Sequence, residues 1–301
     1  MISVSTAWNA ARHAGWAPAA AEIVALGHSA VALDGAALHS DAMAAAREVR
    51  AVRGEIVALF APPPRRDDTS VAVEGLVAPG AERRQASVGA AIAAGRAALD
   101  AGTRRVVLRV GEIPDLDPSR ETRWRDRLLR EGSSQALAEE VRAVHASVAS
   151  DRPRFVDALC RALFDAARAV PEAQWLLETP SRALGLPMPD DVEAVLGELP
   201  RRAIGYWHDA GHAARLAALG LVPAEEWLAR LGPRTAGVTL ADWSPSGGDL
   251  PPGAGVVAWT ALRAQLTDAM PRVLRLDPAV PAAFLADAVR EAAVRSGGLV
   301  G

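Results

Sequence analysis

The chain has 301 residues, half of them apolar, and a formal net charge of −3. A large hydrophobic core is therefore available, and wholesale disorder is excluded. Alanine makes up about a fifth of the chain, and lysine is absent, so all 33 basic residues are arginines. The absence of lysine excludes a lysine Schiff base and a Walker-type phosphate loop. The acidic balance, without an arginine-rich tract, argues against a nucleic-acid partner.

Short apolar runs alternate with longer alanine-rich segments along the whole chain. Most of the short runs are continuously apolar, which is typical of parallel strands covered on both faces. The predicted strands are Ile2–Ser5, Ala30–Leu33, Glu55–Phe60, Arg105–Val110, Gln174–Glu178, Ala203–Trp207, Ala236–Leu240 and Arg272–Leu276. The predicted helices are Asp41–Arg53, Glu82–Ala101, Pro153–Val170, Asp191–Leu199, Ala258–Ala269 and Pro281–Val294.

This alternation predicts an α/β fold. Eight strand-then-helix units in about 300 residues indicate a closed (β/α)8 TIM barrel. We expect a single domain over residues 1–301, because no change in composition marks a linker. A doubly wound open sheet is the alternative, but no G-x-G-x-x-G follows the first strand. The turn-rich stretch Gly111–Pro118 is expected to cap the barrel mouth.

Cys160 is the only cysteine, which excludes an internal disulfide and a cysteine-based zinc cluster. The first residues lack a basic segment followed by an apolar one, the pattern of a secretory signal. Nor does the sequence contain 18 consecutive uncharged apolar residues. We therefore expect a cytoplasmic protein without a membrane partner.

Carboxylates follow the last four predicted strands, at the barrel end where active sites lie. They are Glu178, Asp209, Asp242 and Asp277, and His212 follows Asp209 by three residues. Convergent carboxylates repel one another unless a cation lies among them, so the pattern indicates a divalent metal. Such a metal would polarise a sugar carbonyl while a carboxylate moves a proton between adjacent carbons. Each acid could instead cap a helix or pair with an arginine, and Asp277 could start the last helix.

The segments that carry these residues resemble the xylose-isomerase-like TIM-barrel superfamily of sugar-phosphate isomerases and epimerases, with their endonuclease relatives. The stretch from Asp209 to His212 is similar to the Asp-x-x-His that follows strand six in this family. Glu178 matches the glutamate that ends strand five. The turn L-P-P-G-A-G at 250–255, followed by Trp259, resembles the turn that follows strand seven.

The resemblance implies one divalent metal held by residues from strands five to eight. Glu178 and Asp277 would be metal ligands and the acid and base of the reaction, and Asp209 would be a further ligand. Asp242 or a water molecule would take the place of the missing strand-seven histidine. His212 would bind a substrate hydroxyl and take part in catalysis. An all-oxygen ligand set favours Mn²⁺ or Mg²⁺ over Zn²⁺.

Some positions depart from the family pattern, because residues other than histidine stand where the family has one. They are Phe60, Arg109, Thr239 and Asp249. This loss of imidazoles excludes the trinuclear zinc site of an abasic-DNA endonuclease. Arg109 would be either a counter-ion of the carboxylates or an anchor for an anionic end of the ligand. Trp8 and Asn9, which follow strand one, are candidates for the lining of a ligand pocket.

Two functions remain open at this point. The first is an isomerase or epimerase that acts on a small sugar or sugar phosphate, with one divalent metal. The second is a barrel that has lost the metal site and acts as a binding or partner protein, or in metal-free chemistry. In the second, Arg109 and Arg275 would pair with Asp209, Asp242 or Asp277 and neutralise the cluster. We expect a carbohydrate-like small-molecule ligand, and a homo-oligomer is compatible with either function.

Overall fold

A computed structural model describes residues 1–35, 42–62, 75–114, 117 and 119–298. Its strands, in chain order, are β1 (Ile2–Ser5), β2 (Ala30–Asp34), β3 (Glu55–Phe60), β4 (Arg105–Leu108), β5 (Gly111–Glu112), β6 (Gln174–Glu178), β7 (Gly185–Leu186), β8 (Ile204–Asp209), β9 (Thr235–Leu240), β10 (Asp242–Ser244), β11 (Gly247–Leu250) and β12 (Arg272–Leu274). Its α-helices are α1 (Trp16–Ala25), α2 (Ala42–Val49), α3 (Ala81–Ala101), α4 (Arg120–Glu131), α5 (Gln135–Ser147), α6 (Arg152–Ala169), α7 (Pro189–Glu198), α8 (Ala210–Ala218), α9 (Ala224–Leu231), α10 (Trp259–Gln265) and α11 (Leu285–Ser296).

Eight parallel strands close into a barrel in the order β1-β12-β9-β8-β6-β4-β3-β2. The predicted (β/α)8 barrel is therefore confirmed, and the open doubly wound sheet is wrong because β1 pairs with both β2 and β12. Each of the eight predicted strands overlaps one of these strands, and each predicted helix overlaps an observed one. The long interval after β4 contains α4, α5 and α6.

Two small antiparallel pairs lie beyond the barrel strands. β5 pairs with β7, and β10 pairs with β11. The turn-rich stretch predicted at Gly111–Pro118 thus begins with a strand, and residues 115, 116 and 118 of it lie outside the described residues. No helix in the described part of the chain is long and apolar enough to cross a membrane.

Large aromatic rings fill the interior of the barrel. Phe60 and Trp207 meet edge to face with ring centroids 5.5 Å apart, and both are buried. The indole Nε1 of Trp207 donates a hydrogen bond to Thr239 Oγ1 at 2.8 Å. Gly237 on β9 lies directly against this indole, since a Cβ atom at this position would come within 2.2 Å of the ring. The interior is therefore packed, and Gly237 is required to admit Trp207.

Replacement of Gly237 by alanine is expected to destabilise the barrel by about 1–3 kcal/mol, because the added methyl group overpacks the interior. Gly89→Ala is the matched control, since Gly89 is exposed on α3 and a Cβ there meets nothing within 4 Å. The control is expected to stabilise the helix by about 0.5–1 kcal/mol. Urea denaturation of both variants measures the two effects. Equal stability of the two variants would contradict this account of the barrel interior.

Candidate active site

The polar residues at the barrel mouth follow from the alternation of side chains along each strand. Leu176 on β6 and Val273 on β12 face the barrel interior. Residues two positions further along each strand face the same way, one layer nearer the carboxyl ends. This rule brings together Asp34, Arg109, Glu178, Asp209 and Arg275.

The Arg275 guanidinium lies at the centre of this group and is 4% exposed. Its Nη1 donates to Glu178 Oε1 at 3.0 Å, and its Nη2 donates to Asp209 Oδ2 at 2.7 Å. Its Nε donates to Asp249 Oδ1 at 2.8 Å. The same Nη2 lies 3.1 Å from His212 Nε2. One side chain thus holds three carboxylates and an imidazole.

Arg109 supplies a second positive charge on the other side of Glu178. Its Nε donates to Glu178 Oε2 and its Nη2 donates to Asp34 Oδ2, both at 3.0 Å. Each oxygen of Glu178 therefore accepts a hydrogen bond from a different guanidinium. The Nη1 of Arg109 has no hydrogen bond to the residues that the structure describes, and the side chain is 24% exposed. Arg109 thus retains a donor that a ligand can use.

These contacts determine the protonation of the site. Burial alone would raise the pKa of the Glu178 carboxyl, but Arg109 and Arg275 outweigh this effect and hold the pKa below its usual value. Burial also acts to raise the pKa of Asp249, and Arg275 reverses that effect, so this pKa is lowered as well. Burial acts to lower the pKa of Arg275, but the surrounding carboxylates keep it well above its usual value. Glu178 is therefore ionised and a weak base.

His212 is fixed at both ring nitrogens. Its Nδ1 lies 2.9 Å from the carbonyl oxygen of Thr179, which can only accept, so the proton is on Nδ1. The Nε2 lone pair then accepts from Arg275. The backbone N–H of His212 donates to Asp209 Oδ1 at 2.8 Å, so Asp209 also caps the start of α8.

Three side chains of this group lie close enough together to bind one metal ion. Glu178, Asp209 and His212 each offer a ligand atom, and these atoms lie within 4.8 Å of one another. However, the Arg275 guanidinium contacts all three side chains. A divalent cation bound by the same atoms would meet this positive charge at short range. The residues present therefore fit a guanidinium, and they do not fit a divalent metal.

Two of the predicted metal ligands lie outside the cluster. The Asp242 carboxylate is buried and accepts four hydrogen bonds, from the backbone N–H groups of Trp243, Gly253 and Val257 and from Trp259 Nε1. Asp242 therefore organises the 242–259 loop.

Asp277 is exposed, and its Oδ1 accepts from the N–H of Ala279 in a turn. Its place in the mouth is taken by Arg275, because β12 ends at Leu274 and Asp277 begins the turn that follows.

The two residues predicted to line a ligand pocket are buried in packing contacts. Trp8 Nε1 donates to the carbonyl of Val280 at 2.8 Å. Asn9 Nδ2 donates to the carbonyl of Ala19 and to Glu22 Oε2, both at 2.8 Å. These bonds attach the segment after β1 to α1 and to the chain that follows β12.

Asp34 is a site residue that the sequence analysis missed. It ends β2, is 2% exposed, and binds Arg109. A usable signal was present, because Asp34 follows the apolar run Ala30–Leu33 in the same way that Glu178 follows its own strand.

A cavity of about 440 Å³ opens beside the cluster. Asp209, His212 and Asp249 line it, together with Arg182 and Arg215. Arg182 pairs with Glu112 at 3.0 Å. The cavity offers a small polar molecule direct access to Asp249 and His212.

No protein-family model matches the chain, and no curated protein matches it significantly. Solved structures do match over almost its full length, which shows the fold of xylose-isomerase-like barrels. A D-tagatose 3-epimerase-like protein is 14% identical with a TM-score of 0.68, covering 97% of this chain and 94% of its own. The 3-keto-D-glucoside 4-epimerase of E. coli is 15% identical with a TM-score of 0.62, covering 97% and 98%. A Thermus thermophilus protein, soaked with ZnCl2, is 22% identical with a TM-score of 0.57, covering 96% and 98%.

The fold and the site therefore define a (β/α)8 barrel with arginine at the centre of its mouth. The first two of these neighbours are epimerases or epimerase-like proteins by name, and at this identity they establish the architecture alone.

Arg275→Met is expected to destabilise the protein by about 3–5 kcal/mol at pH 7, because it leaves Glu178 and Asp209 buried with less positive charge. Arg290→Met is the matched control. Arg290 pairs with Asp287 on the surface, where both side chains are more than 60% exposed. Loss of that pair is expected to change the stability by less than about 1 kcal/mol. Chemical denaturation of the two variants and the wild type measures the free energies of unfolding that are to be compared.

The pH dependence separates charge from packing in this experiment. In the wild type, the lowered pKa of Glu178 gives stability that is fully present above the unfolded value of 4.5 and is lost as the pH falls through the folded value. In Arg275→Met, burial is less opposed and raises this pKa. The difference in the free energy of unfolding between Arg275→Met and the wild type is therefore expected to become smaller as the pH is lowered from about 7 to about 5. A deficit that stays constant over this range would contradict the charge explanation.

Proposed function

We propose that the chain binds a small, neutral, carbohydrate-like molecule at the barrel mouth, and that it does so without a divalent metal. The observation that carries this proposal is the position of the Arg275 guanidinium, which contacts Glu178, Asp209 and Asp249 at 2.7–3.0 Å. In this role the guanidinium replaces the cation that would otherwise neutralise convergent carboxylates.

The charges at the mouth favour a neutral ligand. Among the described residues, the carboxylates of Asp34, Glu178, Asp209 and Asp249 meet the two guanidinium groups of Arg109 and Arg275. A phosphate or carboxylate brought into this group would add to the negative charge. Hydroxyl groups suit it better, because they donate to remaining carboxylate lone pairs and accept from Arg109 Nη1. A polyol is thus favoured over a sugar phosphate.

The same contacts argue against proton transfer at this site. A general base must accept a proton from the substrate at a pKa near the working pH. The Glu178 carboxylate has a lowered pKa, and both of its oxygens accept from arginines. His212 uses Nδ1 to bond Thr179 and Nε2 to bond Arg275. These contacts therefore favour a protein that binds its ligand over an enzyme that transfers a proton.

An isomerase or epimerase that uses a divalent metal is the second candidate. The grouping of Glu178, Asp209 and His212 favours it, provided that the Arg275 side chain can leave them. In that case the three residues would hold the metal, which would polarise a sugar carbonyl or hydroxyl.

Metal binding distinguishes the two candidates. The untagged wild type is expected to contain no stoichiometric divalent ion by elemental mass spectrometry, and its Tm is expected to be unchanged by Mn²⁺ or by EDTA. Arg275→Glu removes the guanidinium and adds a carboxylate, so this variant is expected to gain Tm with Mn²⁺. At a Mn²⁺ concentration 100 times the Kd, the bound metal would raise the free energy of unfolding of this variant by about 2.7 kcal/mol.

Arg275→Gln is the control for this experiment, because it removes the guanidinium without adding an acid. It is expected to respond to Mn²⁺ less than Arg275→Glu. A wild-type protein that carries one divalent ion, lost in Asp209→Asn, would support the metal-dependent isomerase and overturn the metal-free proposal.

Turnover is tested in D₂O with D-tagatose and D-psicose, sugars that structural neighbours are named for, and with D-fructose, which was present with one of them. Saturation-transfer NMR is expected to show binding, and proton NMR is expected to show no loss of sugar C–H signals to deuterium. Arg109→Met is expected to weaken binding about tenfold by removing the exposed Nη1 donor, equivalent to about 1.4 kcal/mol. Deuterium incorporation that disappears in Glu178→Gln would instead identify a proton-transferring enzyme.

A further inference from the structure

A second cavity, of about 870 Å³, lies on the outer face of β8, between α8, α9 and α10. This volume is within the range of small-molecule sites. Apolar side chains form most of its wall, among them Ala213, Ala217, Leu221, Leu228, Trp243 and Leu262. It lies behind the strand that carries Asp209, because His208 on β8 points outward while its neighbours point into the barrel.

His208 brings a polar atom to this apolar wall. The residue is 2% exposed and lines the cavity. Its Nδ1 lies 3.1 Å from the Tyr206 hydroxyl, which is 2.6 Å from Thr179 Oγ1, so the ring orientation is fixed. The other ring nitrogen, Nε2, has no hydrogen-bond partner among the residues that the structure describes. Burial lowers the pKa of His208, which keeps the ring neutral.

Gln265 on α10 contributes a second polar atom that has no partner among the described residues. Its side chain lines the same cavity, and its Oε1 is buried with no partner among the described residues. A buried polar atom without a hydrogen bond is costly, and native structures contain few of them.

We propose that this cavity binds an apolar small molecule that carries a hydroxyl group. The apolar body would pack between α8, α9 and α10. The hydroxyl would bond to His208 Nε2 or to Gln265 Oε1. A hydroxyl suits both atoms, because it can donate to the Gln265 oxygen and can either donate to or accept from the neutral imidazole. This site is separate from the mouth and does not depend on the function proposed for it.

The test uses 2-naphthol as the probe and 2-methylnaphthalene as its partner of similar shape without a hydroxyl. Titration of the wild type is expected to show one saturable 2-naphthol site per chain, with weaker binding of 2-methylnaphthalene. His208→Phe keeps a planar aromatic ring and removes both nitrogens. This substitution is expected to lower the ratio of the affinity for 2-naphthol to the affinity for 2-methylnaphthalene about tenfold. An unchanged preference would overturn the role of His208.

Filling the cavity tests its location. Ala217→Trp, from the α8 wall, is expected to reduce 2-naphthol affinity more than tenfold, whereas Ala146→Trp on the exposed face of α5 is expected to leave it unchanged. If Ala217→Trp fails to fold, as judged by its melting curve, Ala261→Trp blocks the cavity from α10. Absence of saturable 2-naphthol binding to the wild type, or binding that survives a folded cavity-filling variant, would overturn the proposal.

Discussion

The salt bridges of Arg275 are the interaction on which the barrel mouth depends. Buried carboxylates such as Glu178 and Asp209 are costly in a protein interior unless positive charge and hydrogen bonds compensate them. Here the compensating charge is covalently attached to the end of β12, so it is present in every folded molecule. The bridges join β6, β8 and β11 to the end of β12, and Arg109 extends them to β2 through Asp34.

The side-chain alternation of the strands explains which residues join this network. Because inward positions recur every second residue, an interior layer of Val107, Leu176, Trp207 and Val273 is followed by a polar layer two residues later. The packed rings of Phe60 and Trp207 form the floor beneath that layer, with the Arg109 guanidinium 6.0 Å from the Phe60 ring. A buried, aromatic floor raises the strength of the charge pairs above it.

The sequence was sufficient for the barrel and for part of the site. Continuous apolar runs identified its eight strands, and the residues after them identified Glu178 and Asp209, which lie at the mouth. Asp277 was misplaced because a strand's last residue cannot be located from composition alone. Counting from an expected strand end at Leu276 selected Asp277, whereas the strand ends at Leu274 and Arg275 faces inward. The four hydrogen bonds of Asp242 depend on a loop whose path only the structure gives.

A guanidinium differs from a divalent metal in ways that limit what the site can do. It carries a single charge spread over a plane, its hydrogen bonds are directional, and it offers no open coordination position. A ligand at this mouth must therefore be recognised by hydrogen bonds to atoms that the salt bridges leave available, such as Arg109 Nη1. On the opposite face of β8, the Thr179–Tyr206–His208 hydrogen bonds end at an imidazole nitrogen with no partner among the described residues, beside an apolar cavity. The same strand thus carries Asp209, bound by Arg275, toward the barrel mouth, and His208, whose Nε2 has no partner among the described residues, toward the apolar cavity in the helix layer.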